Sequence, residues 1–134
     1  MSNRLRLAVS GVILLLTAIP GAAHHSFAAE FDIGKLVSVH GTVTKVDWVN
    51  PHSWIYVDVK GADGNVTNWH FELGSPNALF RLGWKKDAIP QGLEVDISGY
   101  RSKSGEPIAN AVSVTLPNGK ELFTGGSAPT SNGK

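Results

Sequence analysis

The stretch LVSVHGTVTKVDW, Leu36 to Trp48, sets Val37, Val39 and Val43 in alternation with Ser38, His40, Thr42 and Thr44. A period of two, rich in β-branched residues, is the pattern of a strand with one buried and one solvated face. Gly41 falls in the middle of this long strand. A glycine there marks a bulge or a sharp bend, and a long first strand must bend if it is to curve round a small barrel.

Reading outward from that strand, Val49-Asn50-Pro51-His52 ends it, because Pro51 has no N–H to donate and Asn50 favours turns. Ser53 to Lys60 alternates again, with Ile55, Val57 and Val59 on one face and Trp54, Tyr56 and Asp58 on the other. Ala62-Asp63-Gly64-Asn65 carries a hairpin signal. The third strand, Val66 to Leu73, sends Trp69, Phe71 and Leu73 one way and Asn68, His70 and Glu72 the other. The period then becomes helical over Pro76 to Leu82, with Ser75 as N-cap, Pro76 at the first position and Gly83 beyond the end. A fourth strand follows from Leu93 to about Arg101 and a fifth from Ile108 to Leu116. A short sixth, Glu121 to Phe123, folds back after Pro117-Asn118-Gly119-Lys120.

Three strands, a helix and two more strands is the order of a mainly β, five- to six-stranded OB-like Greek-key barrel, which closes edges that would otherwise be exposed. An open antiparallel sheet with one helix across it shares most of these elements. The mid-strand Gly41 favours the barrel, which is assigned to residues 35–123.

The ends of the chain read differently. Arg4 and Arg6 precede a largely apolar run, Leu7 to Ile19, and then Pro20-Gly21-Ala22-Ala23, the layout of a secretory signal peptide cleaved after Ala23. The run is too short for a membrane anchor. The expected mature protein is periplasmic, without stable membrane insertion. It opens with an irregular arm, residues 24–34, pinned by Phe27 and Phe31. From residue 124 the chain is mostly Gly, Ser, Pro, Thr and Asn and is expected to be disordered to residue 134. Losing Arg4 and Arg6 takes Lys+Arg from 12 to 10 against 11 Asp+Glu, so the formal charge moves from +1 to −1. That balance offers nothing to a nucleic acid. The chain has no Cys and its single Met is Met1, so the mature protein has neither a thiolate nor a thioether ligand.

Three motifs, Ala23-His24-His25-Ser26-Phe27, Trp48 to Trp54 (W-x-NPH-x-W) and Glu72 to Leu79 (ELGSPNAL), resemble those of a small exported bacterial family known as a domain of unknown function. The resemblance spans about residues 23–123. It implies secretion, a small β-barrel-like domain and a His-rich start, and no reaction.

The chemistry candidates are few. Cleavage after Ala23 gives His24 a free α-amine beside its imidazole, two nitrogen donors for one Cu(II) ion; cleavage one residue earlier gives Ala-His-His, which suits square-planar Cu(II) or Ni(II). If the arm reaches the barrel, His52 or His70 adds another nitrogen, so His24, His25 and His52 are the metal candidates. The bland alternative is a solvated terminus, with His52 ordering its own turn. Trp54, Tyr56 and His70 form a candidate ligand or partner face, since OB barrels bind oligomers on aromatic surfaces of these strands. Asp58, Glu72 and Asp96 read as solvated strand residues, and His40 as structural. No nucleophile elbow, phosphate loop or HExxH helix is present. The sequence therefore points to a non-enzymatic binding module for a divalent metal such as Cu(II). The alternative is an interaction domain that takes a peptide, glycan or periplasmic partner protein on its aromatic face without metal.

Overall fold

A computed structural model describes residues 27–128. The strands are β1 (Phe31–Asp47), β2 (Trp54–Lys60) and β3 (Val66–Glu72), then helix α1 (Pro76–Arg81), then β4 (Glu94–Ser102), β5 (Ile108–Thr115) and β6 (Glu121–Phe123). Hydrogen bonding runs β3-β2-β1-β4-β5-β6, and a parallel pairing of β3 with β5 (His70↔Ile108, Phe71↔Ala109, Glu72↔Asn110) closes the first five strands into a ring. The expected OB-like barrel is the fold observed, with β6 added outside the ring on β5.

β1 is the strand that makes closure possible. Its first part pairs with β4 from Phe31↔Ser102 to Thr42↔Glu94, and its second part pairs with β2 from Thr42↔Asp58 to Asp47↔Trp54. The exchange of partners happens at Gly41 and Thr42. A Cβ on Gly41 would run into the Asp58 carbonyl oxygen and lie 2.7 Å from Val57. The glycine therefore permits a close crossing of backbones. The register irregularities lie elsewhere, between Phe31 and Leu36 and between Val43 and Lys45.

The aliphatic faces read from the sequence are the core. Val43, Ile55, Val57, Phe71, Val95 and Ile97 are at most 1% exposed. α1 sits across one end of the barrel and inserts Leu79, which is fully buried. Its N-terminus is capped as expected, with the Ala78 N–H donating to Ser75 Oγ at 3.3 Å, and Gly83 takes the positive φ that ends it. Trp48 stacks on Phe80 with ring centroids 5.4 Å apart and meets Trp84 edge-on, tying the end of β1 to the helix.

Two boundary readings change. The arm is not irregular to residue 34: residues 27–30 make a helical turn and Phe31 already belongs to β1. Ile33 and Leu36 are exposed, so this first part of the strand has no alternation to read, and only its pairing with β4 defines it. The segment after β6 is also ordered further than expected. Thr124 is buried, accepts from the Gly74 N–H at 2.8 Å and donates its hydroxyl to the Ala111 carbonyl. Ser127 accepts from Asn110 Nδ2 at 3.1 Å. Residues 124–127 thus run along the edge of β5 between β6 and β3, and residues 129–134 lie outside the described part.

Candidate functional site: the His52–Glu72 corner

The turn after β1 contains a cis Asn50–Pro51 bond, followed by His52 and Ser53. Ser53 extends the β2–β3 ladder, its N–H donating to the Gly74 carbonyl at 3.0 Å and its carbonyl accepting from Leu73 at 2.8 Å. His52 is held at the edge of this ladder beside the last residue of β3, Glu72. The imidazole Nδ1 lies 3.2 Å from Glu72 Oε1. Across the parallel closure, Asn110 of β5 pairs with Glu72 in register and donates Nδ2 to the same Oε1 at 3.2 Å.

Burial separates the partners. The Glu72 side chain is 7% exposed and that of His52 42%, while Asn110 is fully buried between Ala109 and Ala111. Burial pushes the Glu72 carboxyl above its ordinary value of 4.5. The His52 charge and the Asn110 hydrogen bond oppose that rise, and the like charge of Glu30 adds to it. Glu30 and Phe31 line a cleft with Trp54, the register partner of Glu72, so the start of β1 lies at this end of the barrel. Asn110 Oδ1 and Ser53 Oγ are buried without a hydrogen-bond partner, so Ser53 is not bonded to His52.

With Glu72 ionised, the contact fixes Nδ1 as the donor and leaves the lone pair on Nε2. A half-exposed imidazole oriented by a buried carboxylate is the arrangement in which metal-ligating histidines are usually held. Among the described residues, no three His, Cys, Asp or Glu side chains converge closely enough to hold an ion. His24 and His25 lie outside the described residues.

The aromatic candidates fall on the outer face of β2, opposite the buried Ile55 and Val57. Tyr56 is half-buried between His70, ring centroids 4.7 Å apart, and the Lys45 ammonium 5.4 Å from its ring. Burial, followed by the charge of Asp47, raises its phenol above the usual value. Trp54 stands apart, lining a cleft with Glu30 and Phe31. His40 is paired with Asp96 at 2.9 Å on another face. The structure thus brings Tyr56 to His70 and His52 to Glu72, and leaves Trp54 in a separate cleft.

Glu72 is the residue that sequence reasoning missed: placed on a solvated face, it is instead buried. Its strand position does point outward, and its polar partners arrive from β5 (Asn110) and from the turn before β2 (His52), both remote in sequence. The one available signal was Ala109-Asn110-Ala111, an amide between two small residues that invites a close polar neighbour.

The matched sequence agrees with the resemblance. The chain belongs to DUF6152, a family of unknown function, whose model matches residues 12–110. A search of curated proteins returns no match.

Proposed function

We propose that this member of the DUF6152 family is an exported, non-enzymatic binding module that takes a divalent metal, with Cu(II) the best fit, on His24, His25 and His52. The observation that carries the reading is the His52–Glu72 contact of 3.2 Å. It prepares one imidazole nitrogen for a ligand, at the end of the barrel where the start of β1 also lies. Phe27 and Phe31 anchor that segment, their rings 5.5 Å apart and Phe27 edge-on to Tyr100 at 5.9 Å. His24 and His25 are covalently tethered three and two residues before Phe27, within roughly 11 Å of chain.

The donor chemistry supports copper(II). Imidazole and a free α-amine suit Cu(II), and no Cys is present to favour a soft ion. Glu72 acts behind His52, holding the ring and supplying negative charge close to the ion.

The test is calorimetric titration with Cu(II) of protein whose N-terminus at His24 has been verified by intact mass. The expected result is one saturable site at micromolar or lower concentration, weakened at least tenfold by His52→Ala and abolished by His24→Ala with His25→Ala. Glu72→Gln should cost about tenfold, as loss of a carboxylate behind a ligating histidine does. Absence of saturable binding removes the metal reading and leaves the alternative, a peptide, glycan or partner protein on the Trp54 and Tyr56 face.

A further inference from the structure

Beside the His52–Glu72 corner an open cleft of about 380 Å³ separates the start of β1 from the β4–β5 hairpin. Half-buried Trp54 gives it aromatic surface, Ile108 an aliphatic wall, and exposed Glu30 and Glu106 two carboxylates. The one cation in the lining, Lys103, is engaged by the opposite side: its Nζ donates to the Ala28 carbonyl and its backbone N–H to that of Glu30, at 2.8 Å. These bonds, with Phe31 buried at 4% exposure, fix the two sides of the cleft. Among the described residues neither Glu30 nor Glu106 has an ion-pair partner.

An indole with two unpaired carboxylates discriminates by charge. The negative face of the ring and both acids attract a cation, and the two exposed carboxylates outnumber the Lys103 ammonium, whose bond to a neutral carbonyl leaves its charge in place. A neutral sugar would gain from the ring alone, and an anion would be repelled. A hydrated metal ion would use the carboxylates and leave the aromatic and aliphatic walls in contact with nothing. We propose that this cleft binds a small organic cation, an alkylated ammonium group seated on Trp54 between Glu30 and Glu106. The group is carried either by a free amine or by the end of a lysine side chain.

The proposal does not depend on the metal reading, and its test is run on metal-free protein with chelator present. In ¹H–¹⁵N spectra of the mature chain, tetramethylammonium and N-acetyl-lysine amide are titrated separately while the Trp54 indole N–H is followed. The expected result is a saturable shift of that signal for at least one probe, and the tighter probe identifies the source of the cation. Trp54→Leu should weaken binding about fivefold or more, with Trp54→Phe intermediate. Glu30→Gln and Glu106→Gln should each weaken it about two- to fivefold. The unchanged dispersion of the remaining amides verifies that each variant is folded. Equal shifts with tert-butanol or methyl glucoside, no saturable shift with either cation, or undiminished binding in Trp54→Leu would each overturn the proposal.

Discussion

Glu72 is a buried carboxyl held between His52 and Asn110, residues from two other parts of the chain. Its folded-state pKa is raised, mainly by burial, so the folded chain holds this proton more tightly than the unfolded one. The stability this contributes is fully present below the ordinary value of 4.5 and is lost as pH rises through the raised value. Glu72→Gln keeps an acceptor for Asn110 and removes the titration. The variant should therefore gain stability over the parent between pH 4.5 and neutrality, read from urea midpoints at a series of pH values. A difference that stays constant across that range would refute the burial argument. His52→Ala removes the opposing cation and should steepen the parent's pH dependence. His52 could be nominated from the sequence because Asn-Pro-His is a local motif. Glu72 could not, because its environment is made by Asn110 and by the strand start near Glu30.

At the scale of elements, what the sequence made legible was whatever is set locally. The β1 alternation from Val37 and the Ser75 cap needed only neighbouring residues, whereas Gly41, read as a bulge or sharp bend, proved to admit the backbone of Asp58, a long-range partner. The first residues of β1 were not legible, since Phe31 is a strand residue through its pairing with Ser102, and its neighbours Ile33 and Leu36 are exposed. Gly41→Val should cost about 3 kcal/mol, because the added side chain meets the backbone of Asp58 where β1 changes partners. Leu79→Ala opens a cavity under α1 and should cost about 2–5 kcal/mol, whereas Ser75→Ala loses only the cap, about 1 kcal/mol. Chemical denaturation of the three variants checks the order. If Gly41→Val were neutral, the close crossing would not be what closes the barrel.

At the scale of the whole molecule, closure depends on a short parallel contact between β3 and β5, and the corner that presents His52 is built on it. Glu72 and Asn110 are the last register pair of that contact. The segment after β6 continues that contact along the β5 edge through Thr124 and Ser127. Composition alone assigned this segment to a disordered tail, because Gly and Ser residues bury little apolar surface. The hydrogen bonds that hold it are made to Gly74, Asn110, Ala111 and Val112. A chain ending at Phe123 should be less stable than one ending at Ala128 by about 2 kcal/mol, since buried polar groups lose their partners. It should also bind Cu(II) less well, because Glu72 is no longer held. Equal melting of the two chains would show that the segment contributes nothing.

The central claim, that the barrel presents His52 as an oriented ligand to a metal shared with the N-terminal histidines, is tested most directly by pulsed EPR of the Cu(II)-loaded mature protein. Modulation from the remote nitrogens of coordinated imidazoles counts the histidines on copper. The count should fall by one in His52→Ala while the protein stays folded. An identical count and an unchanged Cu(II) spectrum in His52→Ala would contradict it.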